Sequence, residues 1–288
     1  MNARSILHPL RVRLAERWSA FGDPWMLRLL HAAGDGEPDM RDARAEQVYA
    51  ALYLDCIDST LPARSGLRIL EAGCQAGRLA IPLARAGHRV TGLDISERWL
   101  DLCRRNASAA GVSIDLVHGP LEAAPSLLAE GGFDAVICAE VLYTIEDLGG
   151  ALRTLAGLMA PDGALFTSHR TRHYMLTTLA RFRRWQDLSV VAGAQDGRIF
   201  EGQYYSWFDE PELRALYATA GLAVEAVRGI GTVSGVGVDG PAALIDADRL
   251  DDADLQRLLS IERACSTRFS DAARYRLLVS RHSTGTDR

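Results

Sequence analysis

The sequence predicts an α/β fold, a mostly parallel sheet covered by helices, on three observations. From Gly66 onward, short apolar runs alternate with stretches of helical period. The first run ends in a glycine turn, RILEAGCQAG, that leads into an apolar helix pattern. The second run ends in an acid, VTGLD, with Asp94 placed 21 residues after Gly73 (94 − 73). Regular alternation of this kind stacks parallel strands under helices on both faces.

Residues 1–65 read as an N-terminal helical cap. Stretches 25–31 and 44–57 carry apolar residues at helical spacing, among them Val48, Leu52 and Tyr53, with the polar loop GDGEPD between them. Residues 66–282 form the main domain. Its first five strands are predicted at 67–71, 89–93, 113–117, 135–138 and 164–168, with helices at 79–86, 97–110 and 150–159. Pro82 fits if its helix starts near Arg78, because a missing N–H costs least in the first turn. Residues 169–206 break the alternation and read as a lid-like insertion after strand five. Helix 208–220, strand 222–227, helix 250–265 and strand 275–280 follow, with a glycine-rich loop at 229–240 and a tail at 283–288.

Composition narrows the class. The 288 residues are 48% hydrophobic, enough for a buried core, and carry a formal net charge of −5. A mildly acidic chain disfavours nucleic acid, whose binding neutralises phosphates. No stretch reaches the roughly 18 apolar residues of a membrane span. The basic N-terminus develops no apolar signal region. Five scattered cysteines without a C-x-x-C pair read as reduced and buried, which fits the cytoplasm. No His/Cys/Asp cluster has metal-ligand spacing, so no metal is expected. The oligomeric state is open, a homodimer included.

The glycine turn and the acid are the chemical signal. Glycines let a ligand approach the backbone, and the following helix start offers N–H groups. A carboxylate at the end of strand two accepts hydrogen bonds from ribose hydroxyls. The pair therefore marks a nucleoside site. Its glycines do not follow the dinucleotide spacing G-x-G-x-x-G: Gly73 and Gly77 are four apart, with Gln75 between them.

These residues resemble the class I S-adenosylmethionine-dependent methyltransferases, the small-molecule group that includes the ubiquinone-biosynthesis enzymes. EAGCQAG is similar to their [DE]-x-G-C-G-x-G turn, with Gln75 in place of the middle glycine. LDIS at 93–96, FDAVICAEVLYTIED at 133–147, LAGLMAPDGALFTSH at 155–169 and YSWFDEPELRALYATAGLAV at 205–224 match later motifs in order. The resemblance implies a Rossmann-like seven-stranded sheet whose last strand is antiparallel, with S-adenosyl-L-methionine as cofactor. It implies a cofactor site of Glu71, Gly73, Cys74, Gln75, Gly77, Asp94, Ile95, Trp99, Leu121, Ala139 and Glu140. Gly73 and Ala139 would hold the methionine end, Asp94 the ribose, Ile95 and Trp99 the adenine faces, and the Leu121 N–H the adenine ring. Pro120 stands where many members carry an aspartate for the adenine amino group, so that contact is missing or comes from elsewhere, with Glu122 the candidate.

Methyl transfer needs a nucleophile held close, aligned and dry. The usual histidine after strand four is replaced by Tyr143-Thr144. His169, at the carboxyl end of strand five, is the candidate base, and Tyr143 the candidate wall of the methyl site. His173, Tyr174 and Tyr204 are candidate substrate contacts. The basic run Arg170, Arg172, Arg181, Arg183 and Arg184 reads as a solvated helix face, a grip for an acidic acceptor, or an RNA contact. The expected activity is methyl transfer to an oxygen or nitrogen of a small molecule. The alternatives are a cofactor-binding protein without transfer, or another reaction such as a cyclisation.

Overall fold

The computed structural model describes residues 44–128, 131–200, 202–234 and 250–283. The predicted helix at 25–31, the GDGEPD loop and most of the glycine-rich loop and tail lie outside them. Helix α1 (Arg44–Thr60) leads into a regular series. Strand β1 (Arg68–Ala72), α2 (Ala80–Arg85), β2 (Arg89–Asp94), α3 (Glu97–Ala109) and β3 (Asp115–His118) come first. Then come α4 (Ala124–Leu127), β4 (Phe133–Cys138), α5 (Leu148–Leu158) and β5 (Met159–Arg170). The insertion holds α6 (Arg172–Arg181), α7 (Trp185–Gly193) and the hairpin β6 (Asp196–Ile199) with β7 (Gln203–Ser206). Helix α8 (Glu210–Thr219), β8 (Leu222–Ile230), α9 (Asp252–Ser266) and β9 (Tyr275–His282) complete the fold.

The main sheet runs β3-β2-β1-β4-β5-β9-β8. Strand β9 is antiparallel to both neighbours and the others are parallel, as the resemblance implies. Alternate side chains sort into two cores. Ile69, Ala135, Ile137, Phe166, Leu277 and Val279 meet α1, α2, α6 and α9 on one face. Leu70, Val136, Leu165 and Leu278 meet α5 and α8 on the other. Pro82 sits at the third residue of α2, where its missing N–H breaks no intrahelical bond.

One boundary differs in a way that matters. Strand β5 continues to Arg170 rather than ending at Ser168, because β9 pairs beside it as far as Arg170↔Tyr275. His169 and Arg170 are therefore sheet residues, and the insertion starts after them.

Candidate functional site

The carboxyl ends of β1, β2 and β4 surround a cavity of about 390 Å³. This is the edge where open α/β sheets bind ligands, and the volume is in the range of small-molecule sites. Its walls include Gly73, Gln75, Asp94, Ile95, Ser96, Trp99, Leu121 and Val141.

The glycine turn is built around Asp94. Gly73 and Cys74 both donate to the Leu93 carbonyl, at 2.7 and 3.2 Å, which folds the turn back over β2. The Gln75 N–H donates to Asp94 Oδ2 at 2.9 Å, and the Ser96 N–H to Oδ1 at 2.8 Å. The Asp94 carboxylate is thus fixed through one lone pair on each oxygen, which leaves acceptor capacity for a ligand's hydroxyls. Gly73 has φ +86°, and a Cβ there would come within 2.4 Å of Val141 Cγ2. Only glycine keeps that approach open. Ser96 caps α3, its Oγ accepting from the Trp99 N–H at 3.4 Å. That cap sets the indole on the wall beside Ile95, whose side chain stands exposed at the rim.

On the opposite wall, Pro120 starts a short 3-10 turn, Leu121–Ala123. Leu121 and Glu122 both line the cavity there. The residues fit an adenosine-bearing cofactor: a pinned carboxylate, an indole, and two close-approach glycines, Gly73 and Gly119, in one cavity.

Five of the expected cofactor residues lie off the walls. Glu71 is buried behind the turn, its Oε2 accepting from the Ala80 N–H at 2.8 Å at the start of α2. Burial pushes its pKa up to about 8. Cys74 fills the space over Gly92, where a Cβ would come within 2.8 Å of its sulfur. Gly77, with φ +89°, packs against Cys103 and Ile81. Ala139 belongs to the core. Glu140, with φ +61°, accepts from Arg78 at 2.6 Å, and its backbone N–H donates to Ser168 Oγ at 2.7 Å.

His169 is not placed for acid–base work. Period-two alternation sends it, with Thr167, to the α8 face of the sheet. There Nε2 meets the Tyr217 hydroxyl at 2.8 Å, and Tyr217 also bonds Thr167 Oγ1. Burial, with Arg276 opposite, pushes its pKa down to about 3. A neutral, sealed imidazole that lines no part of the cavity is a poor general base.

Beyond β4 and β5 lies a second cluster. Arg170 stacks over the rings of Tyr275, Tyr174 and Tyr143, at 4.4, 4.9 and 5.0 Å. Arg274 lies over Tyr275 and Tyr174 at 5.3 and 5.4 Å. Tyr143 also stacks on Tyr205, centroids 5.9 Å apart. Arg78 covers the Tyr53 ring at 5.6 Å. Burial raises the Glu140 carboxyl, but Arg78, Arg274 and Arg170 outweigh it and hold the group below its ordinary range. The loop that gives Val141 and Ile145 to the cavity gives Tyr143 to this cluster.

The basic run divides. Arg170 is in the cluster, Arg172 pairs with Asp209 and Glu212, Arg184 pairs with Asp187, and Arg181 and Arg183 are exposed. Of the expected substrate contacts, Tyr174 joins the cluster. His173 is exposed on α6, and the Tyr204 hydroxyl bonds Asp196 within the hairpin at 3.1 Å. Sequence reading missed Arg274 and Tyr275, which no motif marks, and Tyr205, which strand alternation separates from Tyr204. Among the described residues, no helix is long and apolar enough to cross a membrane, and no group of three His, Cys, Asp or Glu could hold a metal.

A family model described as "Methyltransferase domain" matches residues 70–167. The chain is similar to the ubiquinone biosynthesis O-methyltransferase of Xylella fastidiosa, 34% identical over 182 residues, covering 62% of this chain and 69% of that one. It is 44% identical to the enzyme of the same name from Methylocella silvestris over 107 residues, which span 37% of this chain but only 41% of that one. Among solved structures, the fold is shared with magnesium protoporphyrin IX methyltransferase from Synechocystis, at 18% identity and TM-score 0.54, covering 95% of this chain and 100% of that one. It is also shared with the cyclase SpnF, at 15% identity and TM-score 0.53, covering 82% of each chain.

Proposed function

The chain belongs to the class I S-adenosylmethionine-dependent methyltransferases, and on that premise we propose that it methylates a phenolic oxygen of a small aromatic acceptor. The observation that carries the reading is the 390 Å³ cavity with the pinned Asp94 in its wall. S-adenosylmethionine supplies a methyl group on a sulfonium centre. Asp94 accepts from the ribose hydroxyls, and the Gly73 backbone holds the methionine end. Ile95 and Trp99 cover the adenine faces, and the Leu121 N–H and Glu122 serve its edge.

The acceptor enters beside the tyrosine–arginine cluster. Tyrosine faces suit an aromatic ring. The guanidiniums of Arg170 and Arg274 create a positive field that favours a phenolate over a phenol. An acceptor ionised in this way needs no general base, which agrees with a His169 buried on the far face. The O-methyltransferase relatives support oxygen over nitrogen as the acceptor atom. A cytoplasmic location belongs to the same reading.

The test incubates the purified chain with S-adenosylmethionine and two acceptors, catechol and 3,4-dihydroxybenzoate, against aniline. Gain of one methyl by a catechol and none by aniline is the expected result. S-adenosylhomocysteine formed only with the amine would sink the oxygen assignment. A product of unchanged mass composition would point to a cyclase-type reaction, since fold does not fix function.

A further inference from the structure

Among the described residues, four other than glycine have positive φ: Gln75, Glu140, Arg183 and Phe200. Such a backbone is uncommon for a residue with a Cβ, and it persists where something else maintains it. Arg183 and Phe200 sit in the turns after α6 and β6. Glu140 is held by Arg78 and Ser168. Gln75, at φ +44°, is different. Its backbone N–H donates to Asp94 Oδ2, and glycine would make that bond without the strain. What glycine lacks is the carboxamide: Gln75 is a residue of the cavity wall, and no hydrogen bond among the described residues occupies its side chain. It springs from the residue whose N–H touches the carboxylate assigned to the ribose.

We propose that the Gln75 carboxamide is a cofactor-binding group that donates to an oxygen of the ribose held by Asp94, so that the turn keeps a strained glutamine for affinity. This rests on the cofactor reading above. Asp94 offers acceptors only, and a sugar's oxygens also need a donor; an amide NH2 beside the carboxylate supplies one. The chain thereby reads both sides of the ribose.

Calorimetric titration of the full chain with S-adenosylhomocysteine, beside thermal melts without ligand, tests this in two variants. Gln75→Ala removes the carboxamide and keeps the left-handed strain. Gln75→Gly removes both. Both variants are expected to bind about five- to tenfold more weakly, the worth of one hydrogen bond to a neutral group. Gln75→Gly is expected to melt about 1–2 °C above Gln75→Ala, from relieved strain. Binding by Gln75→Ala within twofold of the wild type overturns the proposal, because the carboxamide then contributes nothing. Tighter binding by Gln75→Gly overturns it as well. A wild type that binds no S-adenosylhomocysteine fails the cofactor reading itself, a separate result from either.

Discussion

The two ends of the site are built differently. The nucleoside end consists of loops that leave adjacent parallel strands, so Gly73, Asp94 and Leu121 come from 49 consecutive residues (121 − 73 + 1). Its working groups are backbone N–H bonds around a single carboxylate. The end proposed for the acceptor gathers Tyr143, Arg170, Tyr174, Tyr205, Arg274 and Tyr275 from five separate segments. Its working groups are large side chains on one another's faces. A site made of backbone geometry leaves spacing in the sequence. A site made of convergent side chains leaves almost none.

The largest effect should come from the carboxylate at the nucleoside end. Asp94→Ala removes the two charge-assisted hydrogen bonds proposed to the ribose and frees the amides of Gln75 and Ser96. At about 1.5–2 kcal/mol per bond, S-adenosylhomocysteine should bind roughly 150- to 900-fold more weakly. Calorimetry checks this, with circular dichroism confirming that the sheet is kept. A loss of less than tenfold would mean that Asp94 only braces the turn.

The same contrast explains what could be read beforehand. The strand–helix alternation and the Asp94 spacing were legible because parallel ladders impose them locally. Glu71 stands just before the turn in sequence, while its carboxylate reaches Ala80 at the α2 start, nine residues on. That capping partner is visible only in three dimensions. His169 misled through a strand boundary. With the strand ending at Ser168, it looked like a loop residue at the catalytic edge. The ladder to β9 extends the strand, and alternation then assigns His169 to the Tyr217 side and Arg170 to the tyrosine cluster. Arg274 and Tyr275 lie more than 100 residues beyond Arg170, just before and at the start of the antiparallel strand β9, with no motif of their own.

The next effect, on stability, separates a structural histidine from a catalytic one. His169 has its pKa depressed to about 3 by burial and Arg276, against about 6.5 in an unfolded chain. The unfolded state therefore takes up a proton near pH 6.5 and the folded state does not until about pH 3. Its contribution is fully present above pH 6.5 and is lost as pH falls toward 3. Over the first two units that is about 2 kcal/mol. His169→Gln keeps a hydrogen-bonding group toward Tyr217 and cannot titrate, so its urea midpoint should fall less between pH 6.5 and 4.5 than the wild type's. Parallel slopes in the two proteins, with methyl transfer abolished in the variant, would restore the catalytic reading.

The smallest effect concerns two neighbouring tyrosines of β7. Successive strand residues point to opposite faces, so Tyr204 and Tyr205 cannot share a role. Tyr204 is half-buried and bonds Asp196 across the hairpin. Tyr205 is buried, stacks on Tyr143 and receives Phe200 edge-on, with centroids 5.6 Å apart. Tyr204→Phe removes one partly solvated hydrogen bond, worth about 0.5–1 kcal/mol, and should leave kcat/KM for catechol within twofold. Tyr205→Leu removes an aromatic wall of the acceptor end and should lower kcat/KM by about tenfold while S-adenosylhomocysteine binds as before. The reverse pattern, a slow Tyr204→Phe beside a normal Tyr205→Leu, would move the acceptor to the outer face of the hairpin and leave the tyrosine–arginine cluster as core packing.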